Sequence, residues 1–109
     1  MGTQKFNQGM QEMLRSKLGE PIAILCMRYW YRGFLASVSE DLITLSQAYA
    51  VEQTGPAAGT SPQREDALPC DVFINPNVIE IVIQPAWCTA GYTTEKLQEM
   101  KKKFSGSNV

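Results

Sequence analysis

The rhythm of apolar and polar positions changes repeatedly along the chain. Phe6, Met10, Met13 and Leu14 recur at i, i+4, i+7 and i+8, one apolar stripe that predicts a helix over residues 6–17, packed on the rest of the fold. Asn7 suits its N-cap, and Gly19 and Pro21 end it. Residues 22–27 form a continuous apolar run of strand length. Residues 29–38 are rich in aromatic side chains, which favour a strand, and Gly33 marks a bulge or sharp bend inside it. Arg28 and Tyr29 are the expected turn between these two strands. Ser39, Glu40 and Asp41 make a short polar turn, and residues 42–51 predict a third strand. Residues 53–69 carry Gly and Pro breakers without apolar periodicity and read as a loop. Residues 70–74 and 78–83 predict two more strands about the turn Asn75-Pro76-Asn77, with Ile79, Ile81 and Ile83 on one face and Glu80 on the other. After Pro85, Leu97, Met100 and Phe104 at i, i+3 and i+7 predict a tail helix over about residues 93–104, capped by Thr93 or Thr94. Lys101, Lys102 and Lys103 fall in its last turn, where cations complement the helix dipole.

This order implies a mainly β fold: a small, strongly bent open barrel of five strands over about residues 18–86, flanked by two helices in a single domain. The length of 109 residues and an apolar fraction of 44% suit one modest core. The net charge of −1 means that any nucleic-acid contact must be local. With no histidine, the commonest general base and neutral metal ligand are missing. Cys26, Cys70 and Cys88 are far apart and outside metal-ligand spacing, so neither a disulfide framework nor a zinc site is implied. No nucleophile with a base and no phosphate-cradling glycine loop is present, so no catalytic residue, metal or cofactor is expected. The polar start, the cysteine usage and the lack of a long apolar run lead to the expectation of a soluble, cytoplasmic protein without a membrane partner.

Leu18-Gly19, the run 22–27, Arg32-Gly33-Phe34-Leu35, and Ile43-Thr44-Leu45 with Ala48 together resemble the first motif of the Sm-like (LSm) family. Residues 74–81, Ile-Asn-Pro-Asn-Val-Ile-Glu-Ile, resemble the second. The breaker-rich stretch 53–69 falls at the family's most variable loop, and the N-terminal helix falls where the family has one. The resemblance implies a five-stranded SH3-type open barrel whose fourth strand pairs with the fifth of the next copy. Repeated head to tail, such pairing closes a homo-oligomeric ring of about five to seven subunits. Val72, Phe73, Ile74, Val78, Ile79, Ile81 and Val82 are then the interface candidates.

The resemblance further implies single-stranded RNA binding at the ring pore. Here the sequence departs from the family. The turn after Val38 is about a residue short, so Asp41 has no firm counterpart, and Thr44 stands near the family's Asn. Asn75-Pro76 replaces the expected Arg-Gly. Candidate RNA contacts are Ser39, Asp41, Thr44, Asn75 and Asn77, with Glu40 beside them, as polar groups for base edges. The competing reading of these residues is turn chemistry. Tyr29, Trp30 and Tyr31 with Arg28 and Arg32 suggest a stacking platform, but alternation divides them between two faces, which favours packing. Two functions therefore stand: an RNA-binding ring with an altered nucleotide pocket, or a protein-interaction scaffold ring that binds no RNA. A monomeric SH3-like barrel that binds a peptide is a third.

Overall fold

The computed structural model describes residues 8–26, 29–53 and 64–106. Its elements are α1 (Gln8–Arg15), β1 (Pro21–Cys26), β2 (Tyr29–Val38), β3 (Ile43–Gln53), β4 (Arg64–Ala67), β5 (Val72–Ile74), a 3-10 turn (Pro76–Val78), β6 (Ile79–Ile83), a second 3-10 turn (Ala86–Thr89) and α2 (Thr94–Gly106). The sheet is antiparallel throughout, in the order β4-β3-β2-β1-β6. β5 also pairs β3, through Ile43↔Ile74 and Leu45↔Val72, beside the half of β3 that β4 leaves uncovered. The sheet does not close on itself.

The mainly β class and both flanking helices agree with the sequence. The strand count does not: among the described residues six strands are present where five were expected. The extra one, β4, lies inside the stretch expected to be loop. It forms because β3 runs to Gln53 and offers a free ladder to Arg64–Ala67. Several boundaries also move. Tyr29 belongs to β2 rather than to a turn, β5 starts at Val72 rather than Cys70, and Val78 lies in a 3-10 turn rather than in the last strand. Phe6, Asn7, Met27 and Arg28 lie outside the described residues.

Bending of the sheet is built at one crossing. A side chain on Gly33 would meet the Ser46 carbonyl oxygen at 3.0 Å and the Ala48 Cα at 3.1 Å, so β3 crosses β2 closely only because Cβ is missing there. Opposite it, Gln47 takes a left-handed φ of 56°, and the β2–β3 register slips between Arg32↔Tyr49 and Phe34↔Ser46. This bulge inserts one residue and reverses parity along β3. Ile43 and Leu45 before it and Ala48 after it all enter one core, while Val51 joins the other.

The sheet is therefore buried on both faces. The inner core gathers Leu14, Leu18, Ile22, Ile24, Leu35, Ile43, Leu45 and Ile74. The outer face carries Ala23 and Val51 under Trp87 and Cys88, with Trp30 edge-on to Trp87 at 6.2 Å. Complete burial of an Ile or Leu contributes about 1.5–3 kcal/mol, so the larger inner cluster dominates stability. In α1 only Leu14 of the expected stripe is buried, and Met10 and Met13 remain exposed.

The tail helix packs through Met100, with Leu97 and Phe104 half-buried, and Thr93 Oγ1 caps it by accepting from the Lys96 amide. Lys101 reaches Glu20 at 2.8 Å, and that hydrogen bond holds the Glu20 carboxyl below the usual carboxylate range. Gly19 makes this docking possible. It has φ 85°, and a Cβ on it would lie 2.6 Å from the Lys101 Cα. Gly19→Ala combines left-handed strain with a backbone overlap, and is expected to destabilise the fold by about 2 kcal/mol or more in urea unfolding.

Candidate functional site

Among the described residues three strands have an unpaired side: β6 away from β1, and β4 and β5 away from β3. An open edge presents unpaired backbone donors and acceptors. The interface candidates divide around the edges of β5 and β6. Phe73 is 64% exposed, Ile81 46% and Val78 37%. Val72, Ile79 and Val82 are half-buried, and Ile74 is buried in the inner core. Between β5, the turn that follows it and the facing ends of β1 and β2 lies a groove of about 200 Å³, bounded by Cys26, Tyr31, Phe73, Asn75 and Val78. Exposed apolar groups of this size beside unpaired backbone are uncommon on a surface that meets only water.

The polar candidates gather at one end of the β3–β5 pair, because Ile43↔Ile74 sets the 39–42 turn next to the Asn75 turn. Their hydrogen bonds are largely local. Ser39 Oγ accepts from the Asp41 and Leu42 amides and donates to the Leu42 carbonyl. Asn75 Oδ1 accepts from the Asn77 amide and caps the 3-10 turn, in which Pro76 is the first residue. Thr44 is buried and its Oγ1 accepts from Ser37. Asp41 and Asn77 are exposed, as is Glu40. The exposed side chains of the 39–42 turn thus offer carboxylates and no cation.

The aromatic and cationic candidates part company. Tyr29 is 53% exposed, Tyr31 packs against the inner core, and Trp30 packs on Trp87. Arg32 is 1% exposed and lies at the centre of a network that sequence reasoning missed. Its Nε and Nη2 donate to the two carboxylate oxygens of Glu65 at 2.8 and 2.7 Å, and its Nη1 donates to the Cys88 carbonyl at 3.3 Å. The guanidinium carbon lies 4.0 Å from the Tyr49 ring centroid and 5.3 Å from that of Tyr92. Burial alone would push the guanidinium pKa down, but the Glu65 carboxylate carries it up, so Arg32 stays charged. Burial pushes the Tyr92 hydroxyl up, against the pull of Arg32, and that hydroxyl donates to the Gln47 carbonyl. Arg32 is spent on this network and is not available as a surface cation.

The three cysteines are free. Burial raises the Cys26 and Cys88 thiols and keeps them inert, whereas Cys70 is exposed. Brief treatment of the native protein with a thiol reagent is expected to label Cys70 alone, with Cys26 and Cys88 reacting only in denaturant; mass mapping of the labelled peptides checks this. Among the described residues no group of three or more His, Cys, Asp or Glu side chains is placed to hold a metal, and no helix is long and apolar enough to cross a membrane.

No protein-family model matches the chain, and no curated protein matches it either.

Proposed function

We propose that this chain is a non-catalytic, Sm-like subunit that assembles with copies of itself, β5 of one against β6 of the next, and that the resulting ring is an interaction scaffold. The observation that carries this reading is the coincidence of the unpaired sides of β5 and β6 with the exposed apolar side chains Phe73, Val78 and Ile81. β5 and β6 lie toward opposite ends of the open sheet, so head-to-tail pairing uses both, and a rotation that closes leaves only the short, charged outer side of β4 unpaired. The scaffold role is favoured over phosphate recognition by the rim. Ser39 and Asn75 bond their own turns, Glu40 and Asp41 are acidic, and Arg32 is neutralised by Glu65. Nucleic-acid affinity rests mainly on cations that meet phosphates.

Cysteine pairs test the edge contact directly. In a Cys70→Ser background, Phe73→Cys and Ile81→Cys introduced together are expected to give a ladder of cross-linked chains under mild oxidation. If the chains stay single, the edges do not meet. RNA binding is the second reading, favoured by the exposed Asp41 and Asn77 side chains, which offer acceptors and donors to base edges. Anisotropy titration with short U-rich, A-rich and mixed RNA at low salt separates the two: saturable binding supports RNA, and a flat response supports the scaffold.

A further inference from the structure

Arg32 touches more of the fold than a strand residue needs to. It stands on β2, holds Glu65 of β4 in two parallel hydrogen bonds, donates to the Cys88 carbonyl in the second 3-10 turn, and lies against Tyr49 of β3 and Tyr92 ahead of α2. β4 itself is short. It has four residues, three of them exposed, and its ladder is to β3 alone. The segment from Ala86 to Tyr92 is likewise built from short local bonds, anchored by Trp87 and by the Tyr92 hydroxyl on the Gln47 carbonyl. Neither segment has an extensive ladder of its own, and both end on the same buried cation.

We infer that Arg32 is a clamp that couples β4 to the C-terminal segment, so that the two open and close together while β1, β2 and the inner core stay shut. The reason is the charge. If β4 lifts away, Glu65 leaves with it, and a guanidinium without a counter-ion is not stable where it lies. It must turn toward water, which parts it from Tyr49 and Tyr92 and drops the Cys88 carbonyl. Opening from the other end follows the same path in reverse, since admitting water around Tyr92 and Cys88 weakens the grip of Arg32 on Glu65. A partner that orders β4 would therefore also tighten the C-terminal segment, and the coupling is reciprocal.

Native-state hydrogen exchange tests this with two variants that perturb opposite ends. Glu65→Gln removes the charge at β4, and Tyr92→Phe removes one hydroxyl at the C-terminal end. Loss of the Tyr92 hydroxyl bond is expected to raise local exchange by up to about tenfold, and loss of the Glu65 charge by more. The clamp requires that each variant raise exchange by a similar factor in residues 64–68 and in residues 86–92, with both segments opening at a common free energy below that of residues 22–26. Faster exchange confined to the segment that carries the substitution would overturn it. So would no change, or opening of the two segments only together with residues 22–26. Tyr92→Phe keeps every buried charge paired, so it decides the matter even if Glu65→Gln folds poorly.

Discussion

Replacing Glu65 with alanine is expected to destabilise the fold by about 3 kcal/mol, the lower end of what is lost when one member of a buried ion pair is removed. The lower end applies because Glu65 keeps 25% of its side chain in water, whereas Arg32 keeps 1%. The penalty comes from the cation left behind. Arg32→Met in the same background removes that cation and fills much of its volume with an unbranched apolar chain. The double variant is therefore expected to recover a substantial part of the loss in urea unfolding. A double variant as unstable as the sum of the two single ones would mean that the residues act independently and that the pair is not the keystone of this face.

The second large effect concerns assembly. Phe73→Glu and Ile81→Glu each place a charge beside an edge that the proposed contact would dry. Both side chains are substantially exposed in the single chain, so the fold loses little packing and its stability should move by less than about 1 kcal/mol. An assembled ring, by contrast, should fall apart into single chains, because an unpaired charge buried in an interface costs several kcal/mol. Far-UV circular dichroism matching the parent, together with a collapse in mass, is the expected pair of results. Loss of both signals would mean that the substitution acts on the fold and not on the contact.

Much of the architecture was legible because local signals agreed with one another. The aromatic run after Tyr29 and the interruption at Gly33 mark a strand and a bend, and Thr93 marks a helix start. The run Ile79–Ile83 marked a strand but not its faces: the expected single face of Ile79, Ile81 and Ile83 is broken by a register shift against β1, which puts Ile79 on the inner core and Ile83 on the outer one. β4 was not legible. Arg64-Glu65-Asp66-Ala67 has no apolar alternation, and its strand state is imposed by the free ladder of β3 and by Arg32. The role of Arg32 was hidden for the same reason. Parity places it on the face of Trp30 and Phe34, but its counter-ion lies 33 residues away and nothing nearby announces the pairing. The 3-10 turn at Ala86–Thr89 left only Trp87 as a cue, a large apolar residue after a strand-ending proline. Of the rim, the turn chemistry of Ser39 and Asn75 was legible from residue type. The burial of Thr44 under the Ser37 hydroxyl depended on the β2–β3 register, which a bulge shifts.

Multi-angle light scattering of the purified chain over a wide concentration range puts the self-assembly of this fold to the most direct test. Edge pairing into a closed ring requires one mass at a fixed multiple of 12.1 kDa, unchanged on dilution until the ring dissociates. A mass of one chain at every concentration would contradict it.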